Sequence, residues 1–108
     1  MSFVTTHVLD GSRCIPAAGV AVRMTDADFV VLAQGVTDAD GRVPAFGPDT
    51  LPSGTYHVTF DTGAYFADLG IPTFYPSVTI TVAIDSGAAH YHVPLLLSPF
   101  AYSTYRGS

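Results

Sequence analysis

Residues 77–84 read SVTITVAI, with Val78, Ile80, Val82 and Ile84 at the even positions and Ser77, Thr79 and Thr81 at odd ones. Successive side chains on a strand point to opposite faces, so this period of two predicts a strand with one face in a core and one in water. Residues 55–61, TYHVTFD, repeat the pattern: Tyr56, Val58 and Phe60 face one way, and Thr55, His57, Thr59 and Asp61 the other. One wet face is the mark of antiparallel sheet. Working outward, further strands are expected at residues 3–9, 20–25, 29–37, 89–97 and 101–105, with a short extended piece beginning at Arg42 and Val43. Turns fall at Asp10-Gly11-Ser12 and Asp38-Ala39-Asp40-Gly41, and residues 46–54 form a loop rich in Pro and Gly. Residues 63–69 are the one helix candidate, with Gly70 placed to close it. Strands recurring about every eight to twelve residues predict an all-β sandwich. No internal repeat or linker divides the chain, so residues 1–108 are read as one domain.

Composition agrees. Of 108 residues, 28 are Val, Ile or Thr, which suit strands, and there is no Lys or Glu to favour helix. All nine acidic residues are Asp, and the four basic ones are Arg13, Arg23, Arg42 and Arg106, giving net charge −5. That balance repels phosphate and argues against nucleic acid as a partner. No run of about eighteen apolar residues exists to span a membrane. The first residues lack the basic and apolar regions of a secretory signal, and the single Cys14 cannot form an intrachain disulfide, so cytoplasm is the expected compartment. Hydrophobic residues nonetheless make up 48% of the chain, with mean hydropathy +0.36. Some of that apolar surface needs cover from outside the domain.

The titratable residues leave several chemistries open. His57 lies on the polar face of its strand and reads as a solvated side chain. His90 and His92 are two apart on one expected strand, facing away from the apolar set Tyr91, Val93, Leu95 and Leu97. His7 lies on a strand with no purely polar face, which makes it a candidate for a half-buried site. Arg42 starts an extended piece after Gly41, and Arg106 is third from the C-terminus. His7, His90 and His92 fit a zinc site with an open position for water, provided they converge. The same residues fit metal-free hydrolysis, in which an imidazole of pKa about 6.5 takes a proton from water and Arg stabilises an oxyanion. Cys14 precedes Ile15-Pro16 with no nearby His, a poor setting for a nucleophile. Asp38-Ala39-Asp40-Gly41 lacks the third acidic position and distal Glu of a calcium loop.

Together these motifs resemble the transthyretin-like family, in its 5-hydroxyisourate-hydrolysing branch. The likeness rests on Thr6-His7-Val8-Leu9-Asp10, Thr37-Asp38-Ala39-Asp40-Gly41-Arg42, Gly54-Thr55-Tyr56 and Phe60-Asp61-Thr62-Gly63-Ala64-Tyr65-Phe66. It extends through His90-Tyr91-His92-Val93-Pro94 to the closing Tyr105-Arg106-Gly107-Ser108, which separates the hydrolases from the hormone carriers. The resemblance implies a prealbumin-like β-sandwich of eight strands and one short helix. It also implies a homotetramer with sites at the dimer–dimer interface. Its implied catalytic residues are His7, Arg42 and His92, with Tyr105, Arg106, Gly107 and Ser108 binding substrate, and no cofactor or metal. The implied reaction opens the ring of a small planar substrate, 5-hydroxyisourate, in urate breakdown. A small-ligand carrier, and a zinc hydrolase using His7, His90 and His92, are the competing readings. The apolar run at residues 93–97 and the aromatics Phe100, Tyr102 and Tyr105 are the expected subunit contacts.

Overall fold

A computed structural model of the chain describes residues 2–107, so Ser108 lies outside the described residues. Among the described residues the strands are β1 (Val4–Asp10), β2 (Ile15–Pro16), β3 (Ala21–Asp26), β4 (Val31–Val36), β5 (Gly54–Phe60), β6 (Val78–Ile84), β7 (Tyr91–Ser98) and β8 (Ala101–Thr104). The one helix, α1 (Thr62–Asp68), lies between β5 and β6. The strands form two four-stranded sheets, β2-β1-β7-β8 and β4-β3-β5-β6. Every pairing is antiparallel except β1 with β7, which is parallel.

The two alternating segments lie side by side, as β5 and β6, with Val58 opposite Ile80 and Tyr56 opposite Val82. Their apolar faces meet Val4, Val8, Val93, Leu95 and Leu97 of the other sheet. Phe46, Phe60 and Phe66 are fully enclosed. On β1 it is the even residues Val4, Thr6, Val8 and Asp10 that face this core, leaving Thr5, His7 and Leu9 half-buried on the outer face. The buried Thr6 hydroxyl is satisfied by donating to the Val93 carbonyl at 2.7 Å. The Asp10 carboxylate accepts from the Tyr65 hydroxyl at 2.7 Å, tying α1 to the end of β1. The helix stops at Gly70, whose φ of +69° is the left-handed conformation a glycine adopts cheaply.

Several expectations shift. The extended piece at Arg42 makes only one bridge, to His7. Pro44 lacks an N–H to continue the ladder and Ala45 has φ +52°, so pairing ends there. The eighth strand is instead β2, whose Pro16 is tolerated at a sheet edge. The strand expected over 29–37 begins only at Val31. Residues 27–30 turn, and the Asp26 carboxylate accepts from the N–H groups of Asp28 and Val30. The seventh strand begins at Tyr91, so His90 precedes it and does not share its ladder with His92. A turn at Asp85–Gly87, held by the Asp85 carboxylate on the Gly87 N–H, lies between β6 and this strand. Of the expected subunit contacts, Val93, Leu95 and Leu97 are core, while Leu96, Phe100, Tyr102 and Tyr105 are exposed. Within the segment expected as a strand over 29–37, Phe29 and Val30 in the turn and Val31, Leu32 and Val36 on the edge strand β4 are exposed.

Candidate active site

The turn at Asp38–Arg42 builds one side of the site. Asp38 accepts from the N–H groups of Asp40 (2.9 Å) and Arg42 (3.1 Å) through one carboxylate oxygen. Gly41 has φ +76°, and a Cβ there would run into the Val8 carbonyl oxygen. Only glycine lets the turn lie against β1, where the Val8 N–H donates to the Gly41 carbonyl at 2.7 Å. Arg42 thereby lands opposite His7. The His7 Nε2 lies 2.8 Å from the Asp40 carbonyl oxygen. A carbonyl only accepts, so Nε2 carries a proton.

Parallel pairing supplies the other half. Thr5 lies opposite His92 and His7 opposite Pro94, so His7 and His92 occupy the same outer face. The Thr5 hydroxyl and His92 Nδ1 are 2.8 Å apart, which leaves His92 Nε2 for chemistry. Burial lowers the His92 pKa below its ordinary 6.5, and the charges of Arg42, His7 and His90 lower it further. This shift favours the neutral form of His92, which is able to accept a proton. A cleft of about 460 Å³ lies beside Thr5 and Arg42, lined also by Thr6, Asp38, Val43 and Asp49 but by neither histidine.

The C-terminal tail reaches the same place from the far edge. Gly107 bridges to His92 in the register that β8 sets on β7, and its N–H donates to the His92 carbonyl at 2.9 Å. Arg106 turns to the opposite face, with its guanidinium carbon 4.5 Å above the Tyr91 ring. Tyr105 is exposed and lines, with Arg106, Ile80 and Val82, a groove of about 330 Å³ between the sheets.

The fold thus gathers His7, Arg42, His92 and Gly107, and leaves the Arg106 side chain on the other face. His90 is exposed and contributes only charge. His57 is on the other sheet, half-buried rather than solvated, because the Phe29 ring stacks on it at 4.3 Å. No three His, Cys, Asp or Glu side chains among the described residues are grouped to hold a metal, so the three histidines of the zinc reading do not converge. Cys14 is exposed, with φ +57° in its loop. Thr5 and Asp38 were not singled out from the sequence. Thr5 shares the parity of His7 along β1, and that alternation was the signal for it.

Comparison with known proteins places the whole chain in one family. Residues 4–107 match the model of the HIUase/Transthyretin family. A probable 5-hydroxyisourate hydrolase of Schizosaccharomyces pombe is 44% identical, covering 97% of this chain and 90% of that protein. The solved 5-hydroxyisourate hydrolase of Klebsiella pneumoniae is 42% identical, with TM-score 0.89 over 100% of this chain and 94% of its own. A transthyretin of Sparus aurata is 32% identical, with TM-score 0.92 over 99% and 97%. Backbone shape therefore does not separate the hydrolase from the transthyretin, and the side chains must.

Proposed function

The chain belongs to the HIUase/Transthyretin family, and from that premise we propose that it hydrolyses 5-hydroxyisourate to 2-oxo-4-hydroxy-4-carboxy-5-ureidoimidazoline in urate degradation. The observation that carries this reading is the meeting of His7, Arg42 and His92 on one sheet face, from positions 35 and 50 residues apart in the chain.

The reaction needs a base, a donor for the developing oxyanion and a proton for the leaving nitrogen. Neutral His92 takes the proton of a water as its oxygen bonds to C6 of the substrate. Arg42 offsets the negative charge on the C6 oxygen in the tetrahedral intermediate. As the N1–C6 bond breaks, the proton on His92 passes to N1, and C6 becomes a carboxylic acid that releases the water's second proton to solvent as it ionises to the carboxylate. His7, held by Asp40, orients the water or the substrate. The tail borders the site through Gly107, whose backbone lies against the His92 imidazole, and no metal or cofactor takes part. Stoichiometric zinc in the purified protein, with activity lost to a chelator, would overturn this last point.

The protein acts as one domain in a homotetramer, with sites at the dimer–dimer interface. Supporting this, exposed Leu96 lies on the sheet face that carries the site, and Phe100, Tyr102 and Tyr105 are also exposed. A stable monomer in light scattering would contradict it. No helix among the described residues is long and apolar enough to cross a membrane, and the free Cys14 fits a reducing cytoplasm. The deciding assay follows ultraviolet absorbance while urate oxidase generates the unstable substrate in place. Decay faster than the spontaneous rate is expected, and an unchanged rate would sink the assignment.

A further inference from the structure

Two adjacent residues of β7 meet two adjacent residues of the tail, one pair on each face of the sheet. On the core face Arg106 sits over Tyr91. Tyr91 is an anchored platform: it is buried, meets Phe3 edge-on at 5.7 Å, and its hydroxyl accepts from the Asp85 N–H at 2.9 Å. On the outer face Gly107 lies flush with the His92 imidazole. A Cβ at position 107 would stand 2.5 Å from His92 Cδ2 and 3.1 Å from Cγ, closer than packing allows. The imidazole is thus bounded by Thr5 on the β1 side and by the tail on the other. Arg42, His7 and His90 are the charged or titratable groups that act on it.

We propose that Tyr91 and Arg106 are positioning residues for His92: they clamp the tail from the core face of the sheet and so hold Gly107 against the imidazole. The clamp rests on the reading of His92 as the base. A cation over an aromatic face suits the task, because it fixes the direction of the tail without placing a side chain in the cleft. A base displaced by about 1 Å can lose on the order of 10²-fold in rate, so a shim of this kind has a kinetic consequence.

The test combines steady-state kinetics with NMR titration of the histidine imidazoles in Gly107→Ala, Arg106→Gln, Tyr91→Leu and Tyr91→Phe. In Gly107→Ala, kcat is expected to fall about 10²-fold with KM changed less than about threefold. Arg106→Gln alters an exposed side chain and should fold normally, with kcat down about tenfold. In both, the His92 ring resonances move and its titration shifts toward the ordinary histidine value, while those of His57 stay put. Tyr91→Phe keeps the ring face and should recover most of the activity lost in Tyr91→Leu. Unmoved His92 resonances in Gly107→Ala and Arg106→Gln would overturn the clamp. So would a raised KM in Arg106→Gln with kcat and His92 unchanged, since Arg106 would then be touching the substrate itself. The titrations need no substrate, so wild-type protein without hydrolysis would refute the assigned reaction and still leave the clamp to be judged.

Discussion

The two sheets each present a histidine on the outer face, and each histidine has its Nδ1 2.8 Å from a threonine hydroxyl on a neighbouring strand: His92 with Thr5, and His57 with Thr81. The hydrogen bond is the same, and the surroundings are not. His92 is faced by Arg42, His7 and His90, and by the backbone of Gly107. His57 is covered by the Phe29 ring, parallel to it within 2°, among the threonines of β5 and β6. A histidine held in place by one neighbour is not a catalyst. What distinguishes His92 is a cation for developing charge and a second imidazole.

The sharpest way to break the contrast is to remove each imidazole. His92→Asn should lower kcat about 10³-fold, the scale of a lost general base, whereas His57→Asn should stay within about twofold. Comparable losses in the two variants would erase the distinction. Arg42→Gln is expected next, at about 10²-fold in kcat, since it removes one donor to the oxyanion. A change confined to KM would instead make Arg42 a binding residue.

The pH profile sharpens the same point. With the His92 pKa depressed and its neutral form the base, kcat should be flat near neutrality and fall about tenfold per unit once the pH drops below that pKa. The acid limb should be unmoved in His57→Asn. A limb that shifted there would tie catalysis to the other sheet.

The smallest effect belongs to the inner face of the site's own sheet. Tyr65→Phe removes one buried hydrogen bond to Asp10 and should cost about 1 kcal/mol of stability with kcat unchanged. Burial pushes the Asp10 pKa up, but hydrogen bonds from Ser12, Tyr65 and the backbone of Arg13 lower it more, to a net value below 3.8. The unfolded chain therefore binds the proton more readily. This contribution to stability is present above about pH 4 and is lost as pH falls through the folded value. Denaturant melts of Asp10→Asn should show a weaker acid dependence over that range.

The core strands were legible because alternation is a property of neighbouring residues. Residues 55–61 and 77–84 announced their buried faces, and the structure pairs them. Gly70 announced the end of α1 for an equally local reason, its freedom at positive φ. Short edge elements were not legible. Ile15–Pro16 carries no pattern and is a strand only because the β1 edge is available to it. The apolar run at 29–32 reads as the start of a strand, yet Phe29 and Val30 fall in a turn and Val31 and Leu32 on an edge strand, which leaves all four exposed.

The site shows the same division. The chemical character of His7, Arg42 and His92 belongs to the residues and can be read in any order. Their convergence depends on pairing between β1 and β7, more than eighty residues apart, and on the register of that pairing. Burying the inner faces of both sheets sets that register. A slip of one residue would send His92 into the core and Tyr91 out. The side on which Arg106 falls is decided in the same way, since the tail inherits its register from β8. Identity and local geometry travel with the chain, whereas which side chains share a face is a consequence of long-range burial that no local pattern contains.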